Sequence, residues 1–339
     1  MVNILHSTWR ASGAHRAQGS STVGAADGEA GSIPGIGTEM PLLPEHWPML
    51  PYPFKPLQHN PLVAALALRM LQLRTRRLEK VIFTATTGRS GTLTLTRLFA
   101  AIPGCRAEHE AHPVMNGAVL RAASYGDTDL ADRVYGRIKS VNIRRAAIGH
   151  RYYFEANHLF IKTFARNAIA DFGGRVAVVH LVRPAAEVAN SIYHLGDYPS
   201  TERGNYWWLD FRAPTNLLAM ADVLESDSEF SHPFYKALWY WHEVEARIAD
   251  WRAKTPAVRV VDFETGWLND LDRVYDLLDG LGVQYERARL APLVGAREHT
   301  KTHQKVGTPL SEKEAELKAA RFLRMLEQRS QAAPASLRV

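Results

Sequence analysis

A chain of 339 residues, 46% hydrophobic and 22% charged, has the make-up of a soluble globular protein with one large core or two modest ones. Its single cysteine, Cys105, excludes an intramolecular disulfide and fits a reducing, cytoplasmic setting; no run approaches the ~18–20 apolar residues of a bilayer span, and no basic-then-apolar leader opens the chain. A net charge of +6 and a pI of about 9.4 suit an anionic ligand, but the basic residues are not striped with aromatics, which argues against a nucleic-acid partner.

Residues 1–40 are rich in Gly, Ser and Ala and too poor in large apolar side chains to offset the entropy of ordering, so a disordered tail is expected. Residues 41–60 hold six of the eighteen prolines together with Trp47, Tyr52 and Phe54, the pattern of an extended strap, and a leading helix is predicted from Pro61 to about Glu79. The main domain is expected over 80–328, with a short tail after it. The β-branched run VIFTA at 81–85 predicts a strand. It ends at the turn TTGRSGT, residues 86–92, after which Leu95, Leu98, Phe99 and Ile102 recur at helical spacing until Pro103-Gly104. A second buried strand is predicted at 176–182 (VAVVHLV), followed by Arg183-Pro184 and a helix through Ile192. A third is predicted at 258–263, leading to a helix with Leu271, Val274, Leu277, Leu278 and Leu281 on one face. Strands alternating with helices imply an α/β fold: a parallel central sheet flanked by helices, with ligands at the carboxyl ends of its strands.

The turn 86–92 has the chemistry of an anion site. Gly88 and Gly91 let backbone approach an anion, Thr87, Ser90 and Thr92 supply hydroxyls, and Arg89 supplies a permanent charge with forked donors at the start of a helix. The ATP-binding loop places a Lys before its Ser or Thr, and none stands here. Some ninety residues on, Arg183 closes a strand and Ser191 lies eight residues later, slightly over two helical turns, so both can face one ligand group.

Those segments carry a family resemblance. TTGRSGT after a strand resembles the 5′-phosphosulfate loop of sulfotransferases that use 3′-phosphoadenosine-5′-phosphosulfate (PAPS). VVHLVRPAAEVANSIYHL resembles their 3′-phosphate motif, and VVDFETGWLNDLDRVYDLLDGLGV looks like the family's strand, acidic turn and helix ending in Leu-Gly. The resemblance spans about residues 80–310, with three landmarks in family order. It implies a P-loop-like sulfotransferase fold, PAPS as co-substrate, no metal, and a small-molecule or glycan acceptor with a hydroxyl. By matching position, Thr87, Gly88, Arg89, Ser90, Gly91 and Thr92 would hold the 5′-phosphate side, and Arg183 and Ser191 the 3′-phosphate. Arg89 replaces the lysine of the cytosolic branch, so it would stabilise leaving-group charge rather than protonate it.

Transfer to a hydroxyl needs a base within hydrogen-bond reach. Glu110, in AEHEAHP after the first helix, matches the family branches that carry a Glu before a proline. His158, in FEANHLFIK, matches the branch that uses a His on a strand upstream of the 3′-phosphate Arg. Both stay open at this point. The resemblance also implies a basic C-terminal loop over the nucleotide, in which Lys305 would touch a phosphate. Trp207, Trp208, Phe211, Trp239, Tyr240, Trp241 and Trp251 read mostly as core, with one or two available to line an acceptor pocket. The competing readings are a P-loop kinase of nucleotides or small molecules, which would need Mg²⁺ and the missing lysine, and a catalytically inactive nucleotide-binding module.

Overall fold

The computed structural model describes residues 61–295 and 308–332. By its internal contacts the chain divides into two compact units, Pro48–Leu323 and a second made of Met1–Trp47 with Arg324–Val339. Everything that follows lies in the first unit. The expected tail at 1–40, the strap at 41–60, the basic loop with Lys305 and the residues after 332 fall outside the described residues.

Five strands form one all-parallel sheet: β1 (Lys80–Ala85), β2 (Cys105–His109), β3 (Tyr152–Ala156), β4 (Val176–Val182) and β5 (Arg259–Glu264), in the order β2-β3-β1-β4-β5. The helices that frame the site are α1 (Pro61–Arg74), α2 (Thr92–Ala100), α3 (Ala165–Phe172), α4 (Ala185–Leu195), α5 (Glu202–Trp207), α6 (Pro233–Lys254) and α7 (Leu271–Leu281). The expected α/β architecture, a parallel sheet flanked by helices, is the one observed. α1 is five residues shorter than predicted. The Thr75 hydroxyl bonds the Leu71 carbonyl at 2.8 Å and closes the helix, and Glu79 N–H then bonds the Arg151 carbonyl beside β3 at 2.7 Å.

The central strands are buried on both faces, as parallel strands require. Alternate residues divide between the faces. Ile82, Phe154, Ala177, Val179, Leu181 and Phe263 pack under α2 and α7, where Phe99 stacks on Phe154. On the opposite face Phe83 stacks on Phe160 with ring centroids 4.7 Å apart, and Phe164 meets both rings edge-on. β1 lies between β3 and β4, and the connection out of β1 runs past β3 to the β2 edge while that out of β4 runs to the β5 edge, so the connections diverge between β1 and β4. That is where an open parallel sheet offers a crevice at its carboxyl edge. Among the described residues no helix is long and apolar enough to cross a membrane.

Candidate active site

The turn after β1 sits in that crevice. Gly88, Arg89 and Gly91 take φ values of +84°, +58° and +79°, so the chain coils tightly before entering α2. Contacts behind the turn also require the glycines. A Cβ on Gly91 would lie 2.7 Å from Leu268 Cδ1, and one on Gly88 would press on His158 Cβ and Cγ at 3.3 Å. Hence the glycines, expected only to admit an anion, also let β5's following turn and the His158 ring close against the loop. Arg89 is the one non-glycine among the three, a strained backbone of the kind found at ligand sites. Buried Thr87 and Ser90 direct hydroxyls to the Gly88 carbonyl, each at 3.0 Å. Thr265, just past β5, donates to the Ser90 and Val182 carbonyls and ties the ends of β1, β4 and β5 together. Among the described residues no side-chain cap bond occupies the start of α2, so its first amides and positive end are available to an anion.

Arg89, Arg183 and Ser191, separated by about a hundred residues in sequence, meet here. Arg89 Nε donates to Ser191 Oγ at 3.0 Å, and Arg183 donates from one terminal nitrogen to the Arg89 carbonyl at 2.8 Å. Arg183 Nε is held by Glu187, one turn along α4, at 2.8 Å. Burial and then the neighbouring Arg183 charge push the Arg89 guanidinium below its ordinary value. Two cations share one pocket, and an anion between them would relieve their repulsion. Thr92, at the start of α2, shares a hydrogen bond of 3.0 Å with His109 Nε2 at the end of β2.

Glu110 and His158 lie together at the other side of the loop, with His158 Nε2 3.6 Å from Glu110 Oε1. Glu110 follows β2 directly. Its N–H continues the ladder to the Ala156 carbonyl at 2.9 Å, and its φ of +49° then turns the side chain off the strand line. His158 is not on a strand as expected; β3 ends at Ala156, and His158 occupies the turn after it. The cause is Asn157. Its N–H bonds the Thr84 hydroxyl and its side-chain oxygen accepts from Leu159 N–H, an Asx-type turn that ends the strand. Burial, more than the nearby Lys162, His109 and Arg89, pushes His158 well below the ordinary imidazole value. Burial likewise raises Glu110, against the pull of Lys162, Arg89 and Lys139; Glu155 acts with burial. Burial thus favours the neutral imidazole and opposes ionisation of the carboxyl group beside it.

Several residues of the site were not singled out by the sequence for the contacts they make here. Lys162, in a π-helical turn at Phe160–Phe164, places its amine 2.8 Å from His158 Nδ1 and 2.6 Å from the Tyr240 hydroxyl. Tyr240 in turn donates to the Thr87 carbonyl at 2.6 Å. Lys139 donates to the Ala111 carbonyl at 2.6 Å and to buried Glu155, which also accepts from Tyr153 and Asn157, both at 2.9 Å. That network fixes the backbone right after Glu110. Only the oddity of Glu155 inside the apolar run YYFEA hints at it. Of the aromatic group, Phe211, Trp239 and Tyr240 are core as expected, and Trp207 and Trp208 pack on His158 at centroid distances of 6.1 and 5.1 Å.

No family model matches this chain, and no curated protein does. Among solved structures it is similar to a sulfotransferase from Alicyclobacillus acidocaldarius, at 16% identity and a TM-score of 0.38, over 76% of this chain and 98% of that one. It is also similar to the sulfotransferase domain from the curacin biosynthetic pathway, at 14% identity and a TM-score of 0.40, over 74% of this chain and 98% of the domain.

Proposed function

We propose that this chain is a sulfotransferase that moves the sulfuryl group of PAPS to a hydroxyl of a small-molecule or glycan acceptor. The observation that carries the reading is the meeting of Arg89, Arg183 and Ser191 at the carboxyl edge of β1 and β4. A nucleotide with phosphate at one end only needs the loop 86–92 alone. A second cationic clamp on the next strand suits a nucleotide that also bears a 3′-phosphate.

In this reading the α2 amides with Ser90 and Thr92 hold the 5′-phosphate, and Arg183 with Ser191 holds the 3′-phosphate. The acceptor oxygen forms a bond to sulfur while the bond from sulfur to the bridging oxygen breaks, and the electron pair stays on the leaving phosphate. Arg89 stabilises that developing charge, and the Glu110–His158 pair receives the acceptor's proton. Trp207, beside His158, and the exposed Tyr206 meet edge-on 5.3 Å apart, and a ring face of either would serve an acceptor ring or sugar face.

Calorimetry with adenosine 3′,5′-bisphosphate and with 5′-AMP, both in excess chelator, tests the nucleotide. The bisphosphate should bind at least ~10-fold tighter, from one charge-assisted contact of ~1.5–3 kcal/mol, and Arg183→Ala should remove most of that preference. Equal affinities would sink the sulfotransferase reading, and binding that vanishes under chelation would favour a kinase. Radiolabelled PAPS with a panel of phenols, sugars, sterols and peptides then identifies the acceptor.

A further inference from the structure

We propose that Lys162 is a positioning residue that holds His158 in its Nε2–H tautomer, so that Glu110 is the group that takes the acceptor's proton. The inference rests on the sulfotransferase reading and assigns roles within its acid–base pair. The Thr87 carbonyl can only accept. Tyr240 lies 2.6 Å away and gives it the single phenolic proton. The Tyr240 oxygen therefore accepts from Lys162 Nζ, also at 2.6 Å. A second proton of the same amine points at His158 Nδ1, 2.8 Å away. An ammonium can only donate, so both bonds then run outward from Lys162; a neutral amine could also accept at Nδ1 through its lone pair, and for it the carboxylate opposite Nε2 decides the direction.

With Nδ1 accepting, a neutral imidazole carries its proton on Nε2, and Nε2 faces Glu110 Oε1 at 3.6 Å. An ionised carboxylate opposite an N–H is attractive; opposite a ring lone pair it is repulsive. The Nε2–H form is thus favoured from both ends. It also leaves His158 without a lone pair for a substrate proton. Exposure points the same way: the Glu110 side chain keeps 29% of its surface, whereas His158 keeps 5%. The acceptor's proton then passes to a Glu110 carboxylate oxygen as the new O–S bond forms, while His158 orients that carboxylate. Lys162 is sealed in place by Trp208 and Tyr240, whose ring faces lie 5.8 and 4.9 Å from its nitrogen. A buried lysine with no carboxylate in hydrogen-bond contact among the described residues is costly to keep, and burial drives it well below its ordinary value against the attraction of Glu110.

The tautomer can be read directly, with no donor or acceptor present. The full chain labelled with ¹⁵N-histidine is recorded by long-range ¹H–¹⁵N correlation near pH 7.5. Among the chain's fourteen histidines, His158 is assigned as the signal lost in His158→Gln. The wild type should show an Nε2–H imidazole that stays neutral below pH 6, and Lys162→Met and Tyr240→Phe should shift His158 toward a tautomer mixture. In turnover, Lys162→Met should lower kcat at least ~10-fold with little change in KM for PAPS. Glu110→Gln should remove the ascending limb of the pH profile, and His158→Gln should retain it at reduced rate. An Nδ1–H form in the wild type, or an unchanged His158 signal in a folded Lys162→Met, overturns the proposal. If Lys162→Met does not fold, the wild-type tautomer and Tyr240→Phe decide. A wild type that shows the Nε2–H form but no PAPS turnover or nucleotide preference would leave the lock standing and remove the sulfotransferase reading.

Discussion

Ser191 Oγ accepts the Arg89 Nε proton at 3.0 Å, on the side of α4 from which Arg183 reaches the Arg89 carbonyl. In the proposed complex one hydroxyl thus serves two ends of the nucleotide, holding the 3′-phosphate and steadying the cation beside the leaving oxygen. Ser191→Ala should therefore weaken adenosine 3′,5′-bisphosphate about 3–10-fold and lower kcat as well, because a net hydrogen bond is worth ~0.5–1.5 kcal/mol. Arg89→Ala should cost ~10²-fold or more in kcat with a smaller loss in affinity, since its charge counts most where negative charge develops. Steady-state kinetics beside calorimetry separates the two effects. A Ser191→Ala protein with wild-type kcat would show that Arg89 needs no such support. At this scale the sequence is readable where short-range spacing decides: it singles out Arg89 in its glycine-bearing turn and Arg183 with Ser191 eight residues on. Lys162 and Tyr240 do not, because they reach the site from a turn and a helix that no short-range pattern connects.

β4 and β5 are joined to α6 by a charged cluster that no strand-forming tendency predicts. His180 projects from the middle of β4, with Nδ1 2.9 Å from Asp262 on β5 and Nε2 2.8 Å from Glu245 on α6. Arg252 of the same helix closes the set on Asp262 at 2.9 and 3.1 Å. Burial alone would lower the imidazole, but the two carboxylates outweigh it and raise His180 to about 9, while Asp262 is held down at about 2, first by His180 and then by Arg252. A group raised when folded stabilises fully below its unfolded value, ~6.5, and loses that contribution as pH climbs through the folded one. The urea midpoint should accordingly decline between pH 6.5 and 9, and His180→Gln should be less stable at pH 6 with a flatter decline. A variant whose midpoint falls in parallel with the wild type over that range would remove His180 as the cause. The same cluster shows why β4 and β5 were legible and β2 was not. β4 is a long apolar run with a single polar interruption, as a buried central strand gives, and β5, itself an edge strand, keeps Val260, Val261 and Phe263, whereas CRAEH is polar and short and becomes a strand only through its ladder to β3.

Across the molecule, the sheet order places β1 beside both β3 and β4, so the loop 86–92 is the meeting point of two half-sites. The β4 side holds Arg183, Ser191 and the Thr265 tie; the β3 and β2 side holds His158, Glu110 and the Lys162 chain. A nucleotide with phosphates at both ends should engage the loop and the start of α4 together, and one with a 5′-phosphate alone should engage only the loop. Hydrogen exchange on the intact chain can see the difference, because ligand binding suppresses local opening in the segments it joins. Adenosine 3′,5′-bisphosphate should slow exchange at residues 88–95 and at 185–191. 5′-AMP at equal occupancy should slow the first segment and leave the second near its free rate. In Arg183→Ala the bisphosphate should behave like 5′-AMP. The edge strand β2 should stay unchanged in every case, since none of the phosphate-holding groups rests on it except through the Thr92–His109 bond. Protection confined to 88–95 with the wild type and saturating bisphosphate would place the 3′-phosphate away from Arg183. Protection of 185–191 by 5′-AMP would mean that the two segments open as one unit whatever the ligand, and the second phosphate would then have no separate seat in the fold.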